Sequence, residues 1–203
     1  MRLIKNNVHV WAIRGNHDYK PHFDNDPFGF TNIHLIPDYI GLYAPRILGI
    51  LSLFLLRNKF NYLTIYIAGY CFNYILNILL KLLLKEPRPK KTKRVLEIAI
   101  ANDYGVDYEY EYEKFGMPSG HAQICAYSLA FITLVLNDPL ISSIYLFITC
   151  LTLFQRYKYL DHSILQLVVG FCVGLSIGYM FYLIGNRFIK GNIKMRPDDC
   201  APK

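Results

Sequence analysis

Nothing in this sequence provides for a disulfide scaffold or a cysteine-built metal centre. The five cysteines, Cys71, Cys125, Cys150, Cys172 and Cys200, are odd in number, and none stands at metal-ligand spacing from another. The first four fall inside apolar stretches, where a thiol packs as a small hydrophobe. No internal repeat and no low-complexity linker is present. No cleavable secretory signal is expected in residues 1–36, because they are mixed polar and carry Arg2, Lys5, Arg14 and Lys20. Acidic residues are the minority charge, 15 against 22 lysines and arginines, for a formal net charge of +7. That excess is not gathered on one polar domain, which argues against nucleic acid as a partner. The cations cluster instead at the ends of apolar stretches, at Lys85, Arg88, Lys90, Lys91, Lys93 and Arg94, then at Arg187, Lys190, Lys194 and Arg196. Most of these read as topology-setting loop charge; attraction to anionic head groups or to a phosphorylated substrate fits the pattern as well.

Charge is scarcest within the apolar stretches themselves. Of the 203 residues 53% are hydrophobic, and they fall into five blocks. Ile40–Leu56 is broken only by Arg46, and Phe60–Leu84 carries Lys81 in its last turn. His121–Leu136 and Leu140–Phe154 are shorter, and Ser163–Ile184 has no charge at all. A spanning helix needs roughly 20 apolar residues. In lipid every backbone polar group must be satisfied within the segment, so such runs read as transmembrane helices rather than as buried helices of a soluble protein. The expected fold is therefore an all-α integral membrane protein, a transmembrane helix bundle of about five spans. A polar N-terminal arm over 1–36, a transmembrane domain over 37–186 and a basic tail over 187–203 complete the organisation. The expected location is multi-pass, in the endoplasmic reticulum or another internal membrane.

Five spans put the arm, the 85–120 connection and the 155–162 loop on one face. Lysine and arginine are more numerous there, which nominally makes that face cytoplasmic. The long connection begins basic and later alternates acid and tyrosine from Asp107 to Glu113, a period-two pattern of extended chain. Three polar clusters converge on this same face. In the first, Lys81 and Arg88 are seven residues apart, two helical turns, and Pro87 and Pro89 stop the helix beside them. Arg88 offers a planar fork for two phosphate oxygens and Lys81 a point charge; the plainer alternative is a snorkelling lysine with a loop arginine. In the second, Pro118-Ser119-Gly120-His121, Ser119 can cap a helix and Gly120 lets backbone approach a ligand. The N–H groups at such a helix start bind anions, and His121 sits beside them either as a structural histidine or as a reacting one. In the third, Arg156 and His162 flank a short loop, and Gln166 follows one turn later. There a glutamine can accept a hydrogen bond from one nitrogen of His162, leaving the other free to attack phosphorus. Together the clusters can hold a phosphate and attack it without metal.

With these residues in view, the sequence resembles the type 2 phosphatidic acid phosphatase superfamily, over about 60–184. Its pattern is Lys-x6-Arg-Pro, Pro-Ser-Gly-His and Ser-Arg-x5-His-x3-Asp. The first two motifs are complete here; in the third, Gln155 stands for serine and Gln166 for aspartate. The dolichyl diphosphatase branch is the most similar, through Glu86-Pro87-Arg88-Pro89, the run Met117-Pro118-Ser119-x-His121-x-Gln123, and the glutamine at 166. The resemblance implies that His162 attacks phosphorus to form a phosphohistidine. It implies that His121 protonates the leaving oxygen and then activates water, while Gln166 orients His162. Lys81, Arg88, Arg156, Ser119 and the Gly120 N–H would hold the phosphoryl oxygens, with no metal and no other cofactor. The implied partners are membrane lipids and a lipid phosphate or diphosphate substrate, first a polyprenyl diphosphate and second phosphatidic acid or another lipid monophosphate. The superfamily core has six helices, so a sixth would be short, missing or near residues 1–36.

Two competing assignments stand beside this one. Gly15-Asn16-His17-Asp18 matches a calcineurin-like metallophosphoesterase signature, but no Asp-x-His precedes it, and a turn in a polar arm accounts for it. A catalytically silent lipid-phosphate-binding protein would fit the two glutamines, yet would have little reason to keep both histidines and all three cations.

Overall fold

A computed structural model of the chain describes residues 36–89 and 114–191, with side chains to 188. The Gly15–Asp18 segment, the rest of the arm and any helix within it lie outside the described residues, as do the acid–tyrosine run and the end of the tail. Five helices follow in order: α1 Ile36–Leu55, α2 Phe60–Leu84, α3 Gly120–Leu136, α4 Pro139–Lys158 and α5 Ile164–Gly191. Among the described residues there is no strand beyond one isolated bridge, Pro87 to Phe115. The protein is an all-α, multi-pass membrane protein. Four of its helices, α1, α2, α4 and α5, are long and apolar enough to cross a bilayer.

The fifth, α3, is a 17-residue apolar helix that the others enclose; it packs on α1, α2, α4 and α5. It contributes none of the exposed large apolar residues, which lie on the four long helices at positions such as Ile50, Leu83, Phe147 and Ile164. Its own Cys125, Ala126, Tyr127, Phe131, Ile132 and Val135 are fully buried. Side chains that would clash in the contact of α3 with α5 are absent. Gly170, Gly174 and Gly178 recur every four residues along α5, and a Cβ on Gly170 or Gly178 would lie 2.6 or 2.7 Å from the Ser119 or Tyr127 carbonyl. A Cβ on Gly174 would fall on the Gln123 carbonyl. Without a hydrophobic drive between helices in lipid, such close backbone approach is what dispersion requires.

Several polar groups inside the bundle are paired across helices. Tyr66 and Ser128 lie 2.8 Å apart, and the Tyr127 hydroxyl donates to the Tyr66 carbonyl at 2.7 Å. In α1, Pro45 has no N–H for the Gly41 carbonyl four residues earlier. Thr152 Oγ1 donates to that carbonyl instead, at 2.6 Å, and so fastens α1 to α4. At the helix start Asp38, 4% exposed, accepts from Lys158 Nζ at 2.8 Å and from the Tyr159 hydroxyl at 2.8 Å.

The helix limits differ from the apolar blocks at a few ends. α1 starts four residues before Ile40, and α4 continues past Phe154 to Lys158 because Arg156 is buried inside the protein and does not mark a water boundary. α5 runs beyond Ile184 to Gly191.

Candidate active site

The start of α1, the ends of α2 and α4 and the starts of α3 and α5 meet on one face of the bundle. The Gly116 N–H donates to the Glu86 carbonyl at 2.7 Å, and the Ser119 N–H donates to the Gln166 carbonyl at 3.1 Å. These bonds join the three polar clusters through backbone.

A helix end builds the Arg156–His162 loop. The Leu160 N–H donates to the Tyr157 carbonyl at 3.0 Å and the Asp161 N–H to the Arg156 carbonyl at 3.1 Å, with Leu160 at φ 55°. This is a Schellman reversal, in which the residue after the left-handed position folds back over the last turn. Leucine in that position costs about 1–2 kcal/mol relative to glycine. The reversal carries the Asp161 carboxylate to Arg156 Nη1, 3.0 Å away, and both side chains are buried. Arg156 Nη2 in turn lies 2.8 Å from His121 Nε2.

His162 follows at 3% exposure. Its Nδ1 lies 2.9 Å from the Gly116 carbonyl oxygen. A carbonyl only accepts, so Nδ1 carries the proton and Nε2 keeps a lone pair. Burial, then the positive charges of Arg88, Arg156 and Lys81 and the nearby His121 imidazole, hold its pKa well below the usual imidazole value. Four groups from three separate clusters of sequence thus act on this one imidazole.

α2 and α3 supply the rest. Lys81 is 6% exposed in the last turn of α2. Below it on the same face, at four-residue spacing, stand the buried Asn77 and Asn73. Gln123 Nε2 donates to Asn73 Oδ1 at 2.8 Å, and Asn77 Nδ2 donates to Gln123 Oε1 at 2.8 Å and to the Pro118 carbonyl at 3.2 Å. This ladder ties the Pro118–His121 turn to the helix that bears Lys81. Ser119 is the N-cap of α3, its hydroxyl accepting from the Ala122 N–H at 3.4 Å. A Cβ on Gly120 would stand 3.1 Å from Asn77 Oδ1, so the turn lies close against α2. Arg88 is half-buried, and its Nη1 donates to the Asp161 carbonyl at 3.3 Å.

His121 Nε2 has two neighbours, Arg156 Nη2 at 2.8 Å and the Leu42 carbonyl at 3.0 Å. The guanidinium only donates and the carbonyl only accepts. The first bond therefore needs Nε2 unprotonated and the second needs it protonated, so the ring's proton selects the partner. The α1 backbone is a neighbour that sequence spacing does not reveal.

Gln166 does not occupy the place expected of it. Instead of bonding His162, its Oε1 accepts from the Ser163 N–H at 3.1 Å while its own N–H donates to Ser163 Oγ at 3.2 Å. This is a capping box at the start of α5, and Ser163-x-x-Gln166 is its sequence signature. The amide nitrogen donates to Glu86 Oε1 at 2.9 Å and to the Pro87 carbonyl at 3.0 Å. With both ends of the amide engaged, none is left for the imidazole, and the Gly116 carbonyl takes that role. Gln166 acts on Gly116 by contact: a Cβ there would lie 2.5 Å from its Oε1. Glu86, quoted above only for the branch resemblance, is likewise a frame residue, and so is Asp161, which motif spacing did not single out. Gln155, the other departure from the pattern, is buried with Oε1 making no hydrogen bond among the described residues.

As chemistry, the arrangement is a buried imidazole with a fixed tautomer, surrounded by two guanidiniums, an ammonium, a second imidazole and a helix N-terminus. A tetrahedral anion is the ligand it suits. The described residues contain no group of three or more His, Cys, Asp or Glu placed to hold a metal ion. Compared with known proteins, the chain matches the family model of the PAP2 superfamily over residues 62–190, while no curated protein and no solved structure matches it. α1, which brings Leu42 to His121, lies outside the matched stretch.

Proposed function

The chain belongs to the PAP2 superfamily, whose members are phosphatases, and on that premise we propose that it hydrolyses a lipid phosphate or diphosphate through a phosphohistidine at His162. The observation that carries this reading is the bond from His162 Nδ1 to the Gly116 carbonyl, which leaves Nε2 as the nucleophile. The depressed pKa keeps that nitrogen unprotonated at neutral pH.

In the first step the Nε2 lone pair forms a bond to phosphorus and the bond from phosphorus to the lipid-side oxygen breaks. That oxygen keeps the electron pair and takes a proton from His121. In the second step water attacks the phosphohistidine, His121 takes the water's proton, and the N–P bond breaks to release phosphate and restore His162. Lys81, Arg88, Arg156, the Ser119 hydroxyl and the Gly120 N–H hold the phosphoryl oxygens as charge develops on them. Gln166 holds the frame around Gly116 rather than the imidazole itself.

A polyprenyl diphosphate is the first substrate and phosphatidic acid or another lipid monophosphate the second. Resemblance to the dolichyl diphosphatase branch supports the first. The residues that carry it, Glu86, Gln123 and Gln166, are bonded into the frame, so they bear on the lipid only through that resemblance. Phosphate release by detergent-purified protein from a panel of polyprenyl diphosphates, phosphatidic acid and lysophosphatidic acid tests the proposal. Turnover of at least one, lost in His162→Ala, is expected. A folded protein that binds these lipids and releases no phosphate would instead be a silent binding protein.

A further inference from the structure

Asp161 stands directly before His162 and takes no part in the bond changes above. It is 2% exposed. Its carboxylate accepts from Arg156 Nη1 at 3.0 Å, its carbonyl accepts from Arg88 Nη1 at 3.3 Å, and its N–H donates to the Arg156 carbonyl at 3.1 Å. One residue therefore holds two arginines that come from different sequence clusters, Arg156 within α4 and Arg88 in the segment that follows α2.

A carboxylate beside an anion site needs a physical reason. It repels the anion, and its burial is unfavourable unless it is paired. Arg156 supplies the pair, and the geometry shows what the pair does. The guanidinium is a rigid plane, with Nη1 on Asp161 and Nη2 2.8 Å from His121 Nε2. Fixing both outer nitrogens fixes the plane. The Schellman reversal at Leu160 places the carboxylate where this is possible. A glutamine four residues after the nucleophile leaves the site without a carboxylate at that position, and Asp161 brings one from the other side of His162.

We infer that Asp161 is a positioning residue that sets the Arg156 and Arg88 guanidiniums for a single phosphoryl group before the lipid phosphate arrives. The inference rests on reading this site as phosphoryl-binding. Cations set in advance need no reorganisation when charge develops in the transition state. The same carboxylate also offsets repulsion among Lys81, Arg88 and Arg156 in the empty site.

The consequence is a separation of kcat from KM. Asp161→Asn keeps the shape and one acceptor oxygen but removes the charge. Ground-state attraction for an anion is then held or increased while Arg156 loses its orientation. The kcat should fall about tenfold or more, with KM unchanged or lower. A residue serving folding alone would lower the yield and leave kcat per folded molecule as it was.

A double-mutant cycle on the full chain in detergent tests this, combining Asp161→Asn with Arg156→Lys. It is read both as turnover and as the Kd for orthovanadate, which mimics the five-coordinate phosphoryl group. Once the fork is gone, Asp161→Asn should cost less than about twofold more in either readout, because coupled residues are non-additive. Full additivity would overturn the inference. Should Asp161→Asn fail to fold, Asp161→Glu, which keeps the charge and displaces it by one methylene, carries the same cycle. Wild-type protein that binds vanadate and hydrolyses no lipid would sink the hydrolase reading, and the Kd cycle would still decide Asp161. Wild-type protein that does neither would overturn both, while turnover with an additive cycle would overturn the Asp161 inference only.

Discussion

His162 donates its Nδ1 proton to the Gly116 carbonyl at 2.9 Å. Gly116 is in turn held by the Glu86 carbonyl through its N–H and by the Gln166 side chain against its Cα. The nucleophile's tautomer is therefore set by the peptide backbone of a segment that is itself clipped to the end of α2. A neutral carbonyl fixes the ring without the charge stabilisation that a carboxylate would give an imidazolium, which agrees with a histidine kept unprotonated.

The pH dependence follows from this. Attack needs neutral His162, and burial with four nearby positive or imidazole groups lowers its pKa well below the ordinary imidazole range. The acidic limb of kcat/KM should lie well below pH 6.5, and activity should persist into mildly acidic solution if His162 alone sets that limb. The stability effect has a definite sign. Between the depressed folded value and the unfolded value near 6.5, the unfolded chain binds more protons, so stability falls as pH drops below about 6.5 and is level above it. Thermal unfolding across pH 5–8, compared with His162→Ala, checks this, since the variant should lose that part of the slope.

Gly116→Ala should impair catalysis out of proportion to stability. A Cβ would lie 2.5–2.7 Å from three atoms of the Gln166 amide, so the carbonyl that holds His162 must move. A shift of about 1 Å in a reacting group costs on the order of 10²-fold in rate. Steady-state kinetics on folded, monodisperse protein measures it; a change under twofold would remove Gly116 from the account.

The Gln166–Glu86 bond is open to a swap. Gln166→Glu keeps an acceptor for the Ser163 N–H but loses the amide donor and sets two carboxylates together, so kcat should fall. Adding Glu86→Gln restores a donor–acceptor pair in the reverse sense and should recover much of the loss. Gln166→Ala, by contrast, removes the capping box at a cost of about 1 kcal/mol and should lower the melting temperature. Failure of the swap to recover activity would count against the frame role of Gln166.

The long helices were legible in sequence because an apolar run of about 20 residues with almost no charge satisfies its backbone in lipid only as a spanning helix. The three clusters were legible because their spacing places them at helix ends. Four features were hidden for identifiable reasons. Gln166 was misplaced because one glutamine answers to two patterns, a partner four residues after His162 and a capping box three residues after Ser163, and the local bond won. Asp161 was missed because only a left-handed Leu160 turns it back onto Arg156, and leucine gives no signal for that conformation. The contact of α3 with α5 was written in Gly170, Gly174 and Gly178, a small-residue stripe that a search for chemistry passes over. The Leu42 carbonyl is a backbone group, so no side chain announces it.

His121→Ala should slow turnover by about 10²–10⁴-fold, the usual range for general acid–base catalysis. The loss should be smaller for a diphosphate than for a monophosphate, because a phosphate ester leaves with less need of a proton than an alkoxide does. Rates for both lipid classes with wild-type and variant protein test this. Equal losses would remove His121 as the acid and leave its contacts with Arg156 and Leu42 as structural.

The most direct measurement is to trap the covalent intermediate. Full-length protein would be mixed with lipid carrying labelled phosphorus at the transferred position, quenched in alkali, and mapped by mass spectrometry and phosphorus NMR. Phosphate on His162 through Nε2, formed in excess chelator and absent from His162→Ala, is the expected result. Label at Nδ1, label on another residue, or turnover that stops with chelator and returns with a divalent ion would contradict it.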